Sequence, residues 1–126
     1  MAVKISGIRQ VAITVQDVKR ATGFYRDKLG LNFLFDAGSF AFVDCGGVRL
    51  MLGLPEPDGM IYSSIVYFQV ADIAVAHKEL ASSGVGFINA PHMIARMSDH
   101  ELWLAEFRDS EGNAMALVSE VRPAQK

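Results

Sequence analysis

A chain of 126 residues, 51% hydrophobic and 21% charged, has the length of one ordinary domain and enough apolar residues to bury a core. Its net charge of −2 gives no electrostatic reason to expect nucleic acid or an anionic membrane surface as partner. The only cysteine, Cys45, excludes an internal disulfide, and no apolar run approaches the ~20 residues of a membrane span. The N-terminal MAVKISG lacks the apolar stretch of a secretion signal, so the expectation is a soluble, cytoplasmic protein.

The first element follows at once. Val11, Ile13 and Val15 alternate with Ala12 and Thr14, which is the period of a strand. Asp17 is placed to cap a helix whose apolar face is Val18, Ala21, Tyr25 and Leu29, and Gly30 suits the left-handed position that ends it. Phe33 opens a further strand, and FVDCGGVRLML, residues 42–52, reads as a hairpin. A joint rich in Pro and Gly follows over residues 55–63.

The pattern is then repeated. VYFQVADI, residues 66–73, matches VAITVQDV, residues 11–18, with Asp72 in the place of Asp17. Ile73, Ala76 and Leu80 form the second helical stripe, Gly84 the stop, and Phe87 echoes Phe33. FRDSEGNAMAL, residues 107–117, matches the first hairpin, pairing Asp44 with Asp109 and Gly47 with Gly112. Each half therefore reads βαβββ, over approximately residues 5–54 and 64–122. Halves of this size are marginal alone, so they are expected to pack side by side or to exchange partners in a homodimer. The fold class is α+β: paired βαβββ modules forming a curved mixed sheet around a cleft.

Period-two alternation assigns side chains to that cleft. If Val11, Ile13 and Val15 cover the helix, Gln10, Ala12 and Thr14 point away from it. In the repeat, Ile65, Tyr67 and Gln69 point away likewise. The last strands place Arg49, Met51, Ala114 and Ala116 on the cleft side, with Phe42 across from Arg49. Matching the second hairpin to the first brings Phe107, Ala105 and Trp103 to the cleft as well, and a turn at Ser98 and Asp99 predicts that Ile94 pairs with Trp103 and His92 with Ala105. The expected ligand-binding residues are Gln10, Phe42, Arg49, Met51, Ile65, Tyr67, His92, Trp103 and Phe107, a mostly apolar set with a few polar groups.

The run ITVQDVKRATGFYRDKLGLNF, the internal repeat and FRDSEGNAMALVSE resemble the vicinal oxygen chelate superfamily, over nearly the whole chain. That group includes glyoxalase I, bleomycin resistance proteins, methylmalonyl-CoA epimerase and extradiol dioxygenases. The resemblance implies the fold more than the reaction, because the fold hosts many. In metal-dependent members, the first and last strands of each half supply the ligands. Carried over, those positions are Gln10, Met51, Ile65 and Ala116. The resemblance therefore implies no metal and no cofactor here, since Ile65 and Ala116 offer no donor atom and Met51 only a thioether. The metal-free bleomycin resistance proteins, which bind a drug in a dimer cleft, are the implied parallel.

Alternatives remain open at single residues. Gln10 is a strand-end polar group, a ligand-binding amide or a metal ligand. Arg49 is a solvated charge or an anchor for an anion. His77 reads as a surface residue of its helix, and His92 and His100 as loop residues unless one serves as acid or base. Trp103 and Phe107 are core or ligand platform. Cys45 has no activating neighbour in sequence. His92, Glu101 and Glu106 could form a displaced metal site, though their spacing matches no ligand motif. The expected function is binding of a small, partly apolar molecule in the cleft by a homodimer, with neither nucleic acid nor membrane as partner. The alternative is a lyase or isomerase of the glyoxalase type using Gln10, His92 or a non-standard metal site, and less so a dioxygenase.

Overall fold

The computed structural model describes residues 3–59, 61 and 64–123. The chain forms two compact units, Met1–Ser63 and Ser64–Lys126. No helix among the described residues is long and apolar enough to cross a membrane.

The first unit runs β1 (Gln10–Thr14), α1 (Val18–Gly23), β2 (Asn32–Ala37), β3 (Phe40–Cys45) and β4 (Val48–Gly53). Its sheet has the order β1-β4-β3-β2, with β1 and β4 parallel and the other pairs antiparallel. As the sequence predicts, Asp17 caps α1, its carboxylate accepting the Arg20 N–H at 3.0 Å. The helix does not continue regularly to Leu29. Phe24–Lys28 form a π-helical turn, in which the Leu29 N–H donates to the Phe24 carbonyl at 3.2 Å. The wider turn brings the successive rings of Phe24 and Tyr25 both inward, where they meet edge to face at 5.3 Å. Gly46 and Gly47, with φ of 59° and 93°, make the two-residue turn between β3 and β4 that suits the strands' right-handed twist.

The second unit runs β5 (Tyr67–Gln69), α2 (Ile73–Ser82), β6 (Gly86–Phe87), β7 (His92–Arg96), β8 (Glu101–Arg108) and β9 (Ala114–Val121). Its order, β5-β9-β8-β6 with β5 and β9 parallel, repeats that of the first unit. The repeat extends to register: Ala12 lies beside Met51, and Tyr67 beside Ala116. Asp72 caps α2 through the Val75 N–H at 3.2 Å.

Where the repeat predicts one strand after α2, the structure has β6 and β7, which pair with successive stretches of β8. Pro91 has no N–H to give, and the edge breaks before it. The Asn89 side chain bridges the break. Its oxygen accepts the Glu106 N–H at 2.8 Å, and its amide donates to the Glu106 carboxylate at 3.0 Å.

Each helix packs on its own sheet, α1 against β3 and β4, and α2 against β8 and β9. Ile13, Val15, Val43, Leu50 and Leu52 are buried with Ala21 and Tyr25 in the first unit. Phe68, Ala105, Phe107, Met115 and Leu117 are buried with Ile73 in the second. This sidedness is what positions the candidate site, because it leaves each sheet one face without a helix.

Candidate functional site

In the first unit the helix-free face carries the residues that alternation assigns to it. Arg49 pairs with Gln10 and Asp44, and Met51 with Ala12 and Phe42. Phe42 thus lies across from Met51 rather than Arg49, a displacement of two residues that keeps it on the expected face. Gln10 is held between two neighbours. Its carbonyl oxygen accepts from the Arg49 Nε at 3.1 Å, and its amide nitrogen donates to the Met51 sulfur at 3.6 Å. Phe35 of β2 stacks on Phe42, with ring centroids 4.6 Å apart and planes 26° from parallel. Beside them is a cavity of about 380 Å³ lined by Arg9, Leu34, Phe35, Asp44, Gly47 and Arg49.

In the second unit the helix-free face is set by the pairings of Tyr67 with Ala116, Ala116 with Glu106, Gln69 with Val118 and Val118 with Leu104. Tyr67 is 54% exposed, and Ile65, just before β5, is 44% exposed. His92 pairs with Leu104, not Ala105, and so belongs to this face. Its Nδ1 lies 2.9 Å from the Ala90 carbonyl, which can only accept. As a hydrogen bond, that contact puts the proton on Nδ1.

The second hairpin turns three expected cleft residues the other way. Phe107 pairs with Met115, Ala105 with Leu117 and Trp103 with Ser119, all on the face that packs against α2. Phe107 is fully buried, with the rings of Phe87 at 5.6 Å and Phe68 at 6.3 Å. Trp103 lies near the start of α2, where it donates from Nε1 to Glu101 at 3.0 Å. The cause is a difference in loop length. Cys45 and Val48 close the first hairpin around two residues, whereas Arg108 and Ala114 close the second around residues 109–113. The two hairpins match in sequence without a gap, but their registers differ by one residue, and one residue turns a strand over.

The residue that takes the place of Phe42 in the second unit is therefore Glu106, which alternation alone did not single out. Asp109 was the available signal. One carboxylate oxygen accepts the N–H groups of Glu111 and Asn113, both at 2.8 Å, and so closes a longer loop than Gly46 and Gly47 do.

The remaining candidates fall apart by position. Glu101 shares the α2 face with Trp103, so His92, Glu101 and Glu106 are not gathered together. No cluster of three or more His, Cys, Asp or Glu side chains fit to hold a metal ion occurs among the described residues. His77 is half-buried rather than a free surface residue, its ring 4.3 Å from that of Phe87. His100 joins a charged network, 2.7 Å from Asp99, which also takes Arg122 at 2.7 Å. The hydrogen bond from His100, then that from Arg122, holds the Asp99 carboxyl at about 2. Burial, aided by the nearby Asp44 charge, pushes the Cys45 thiol up, away from the thiolate a nucleophile needs.

The four positions that carry ligands in metal-dependent relatives do not suit a divalent cation here. Ile65 and Ala116 have no donor atom, and Met51 offers a soft thioether. The one hard donor, the Gln10 oxygen, already accepts from a guanidinium, whose positive charge opposes a cation at the same atom.

Residues 7–117 match the Glyoxalase/Bleomycin resistance protein/Dioxygenase superfamily, and the chain belongs to it. A member of that superfamily from Sphaerobacter thermophilus has a similar structure, with 29% identity, a TM-score of 0.79, and 92% of this chain and 98% of that one covered. The fold is also that of a lactoylglutathione lyase from Agrobacterium tumefaciens, at 21% identity and a TM-score of 0.77 over 91% of this chain and 94% of that one. An antibiotic binding protein, TnmS3 from Streptomyces sp. CB03234, shares it at 20% identity and a TM-score of 0.74 over 94% and 99% of the two chains.

Proposed function

We propose that this protein binds a small, partly apolar molecule on the helix-free faces of its sheets, without the divalent cation of its metal-dependent relatives. The observation that carries the reading is the Gln10 amide. It is locked between the Arg49 guanidinium and the Met51 thioether, so the position that would ligate an ion is part of a hydrogen-bonded, aromatic-flanked surface. Apolar walls with a few fixed polar groups are the usual chemistry of small-molecule recognition. Of the nine residues expected to bind a ligand, Gln10, Phe42, Arg49 and Met51 stay candidates on the first unit's helix-free face, and Tyr67, His92 and the neighbouring Ile65 on the second's. Glu106 joins them, and Trp103 and Phe107 leave.

The antibiotic-binding relative lends support through its fold. We also infer a cytoplasmic homodimer, for which the exposed side chains of Ile5 and Ile8 leave apolar surface that a second copy could cover.

A thermal-shift screen of small aromatic and aliphatic compounds tests the reading. A compound present at 100 times its Kd should stabilise the protein by about 2.7 kcal/mol. The shift should be the same with EDTA and with added Mn²⁺, Ni²⁺ or Zn²⁺. Stabilisation that appears only with one of these ions would overturn the metal-free reading.

A further inference from the structure

We propose that the ligand of the first unit's helix-free face is an aromatic monocarboxylate, anchored by Arg49. The inference rests on the small-molecule reading above and deepens it by naming the ligand class.

Three observations meet at the cavity beside Phe35. The first is an oriented cation. Gln10 takes the Nε of Arg49, which fixes the plane of the guanidinium, and no hydrogen bond occupies its terminal nitrogens among the described residues. A fixed guanidinium edge with two free N–H donors matches the two oxygens of a carboxylate. The second is the charge balance. Arg9 and Arg49 line the cavity with one acid, Asp44. Asp44 lies across from Arg49 in the sheet but accepts from the Gly47 N–H at 3.4 Å, and no ion pair joins it to either arginine among the described residues. Two cations and one anion leave a single net positive charge, which suits a monoanion better than a phosphate dianion.

The third observation is the apolar wall. Successive residues of a regular strand point to opposite faces, yet Leu34 and Phe35 both line the cavity. The register of β2 shifts between Phe33 and Phe35, and this bulge brings Leu34 round beside its neighbour. Phe35 is 47% exposed and backed by the stacked ring of Phe42, so it offers an open aromatic face to a second ring. A volume of about 380 Å³ admits a ligand of one or two fused rings.

Isothermal titration with naphthoate and with the neutral naphthalenemethanol separates the anchor from the wall. Naphthoate should bind the native protein about tenfold more tightly than the alcohol. Arg49→Gln should weaken naphthoate by about tenfold and leave the alcohol within about twofold, while Arg49→Lys, which keeps charge but not the planar fork, should fall between. Equal affinity of the two compounds for the native protein would overturn the anchor and leave the small-molecule reading standing. So would Arg49→Gln weakening both alike. If neither compound binds, the proposal fails, and the broader reading fails with it only if the whole screen is silent.

Discussion

Phe107→Ala should lower the free energy of unfolding by about 3–5 kcal/mol, measured by urea denaturation, because it empties a ring-sized space in the second unit. Phe107 is fully buried between Phe87 and Phe68, opposite Met115 and on the side of α2. The ring of His77 covers Phe87 from the helix, so there is little slack for the neighbours to collapse into the void. The size of the loss separates a core residue from a ligand platform. A ring exposed on a binding face could be removed for less than about 1 kcal/mol, at the expense of affinity. A loss that small, with ligand binding abolished, would restore Phe107 to the binding site and reverse the register of the second hairpin.

Asp109→Ala should lose about 2–3 kcal/mol, although it touches neither proposed face. The Asp109 side chain is 6% exposed. Its carboxylate gathers the N–H groups of Glu111 and Asn113 on one oxygen and the Asn113 amide, at 3.0 Å, on the other. Alanine leaves those donors without an acceptor in a half-buried loop, and a buried unsatisfied donor carries the full cost of its lost hydration. Asp109→Asn keeps an oxygen for the backbone donors and should lose roughly half as much. Hydrogen exchange of β8 and β9 should quicken from the loop end, because this loop holds the register that turns Glu106 to one side and Phe107 to the other. If Asp109→Ala costs less than about 0.5 kcal/mol, the loop does not set the register as described.

Much of this fold is written in short-range signals. The Asp17 and Asp72 caps, the glycines at 30 and 84 and the alternation in β1 and β4 each depend on residues a few positions apart. The duplication was legible as a repeated βαβββ order, and the structure extends it to pairing, β5 with β9 as β1 with β4. What failed was the assumption that matched sequence means matched register. DCGGV and DSEGN align without a gap, but backbone dihedrals close the first turn and a buried carboxylate the second, and only three-dimensional geometry reveals the odd residue. The split edge at Asn89 and Pro91 and the π-helical turn at Phe24 are likewise products of packing rather than of local pattern.

The candidate site divides in the same way. Gln10, Arg49, Met51 and Phe42 could be placed on one face from alternation, whereas the bond that fixes Gln10 to Arg49 and the bulge that turns Leu34 inward could not. Glu106 was hidden by the same one-residue slip that misplaced Phe107.

The central claim is that the face bearing Gln10, Arg49 and Met51 holds an organic ligand where relatives hold a metal. Methyl NMR of protein labelled at the methionine methyl carbons tests it most directly, since Met51 lies on that face and Met115 is buried on the opposite side of its own sheet. On addition of naphthoate the Met51 methyl should shift in a saturable way while Met115 stays in place, and equimolar Mn²⁺ should broaden neither. A Met51 signal that ignores every organic compound but vanishes with one equivalent of Mn²⁺ would contradict the account.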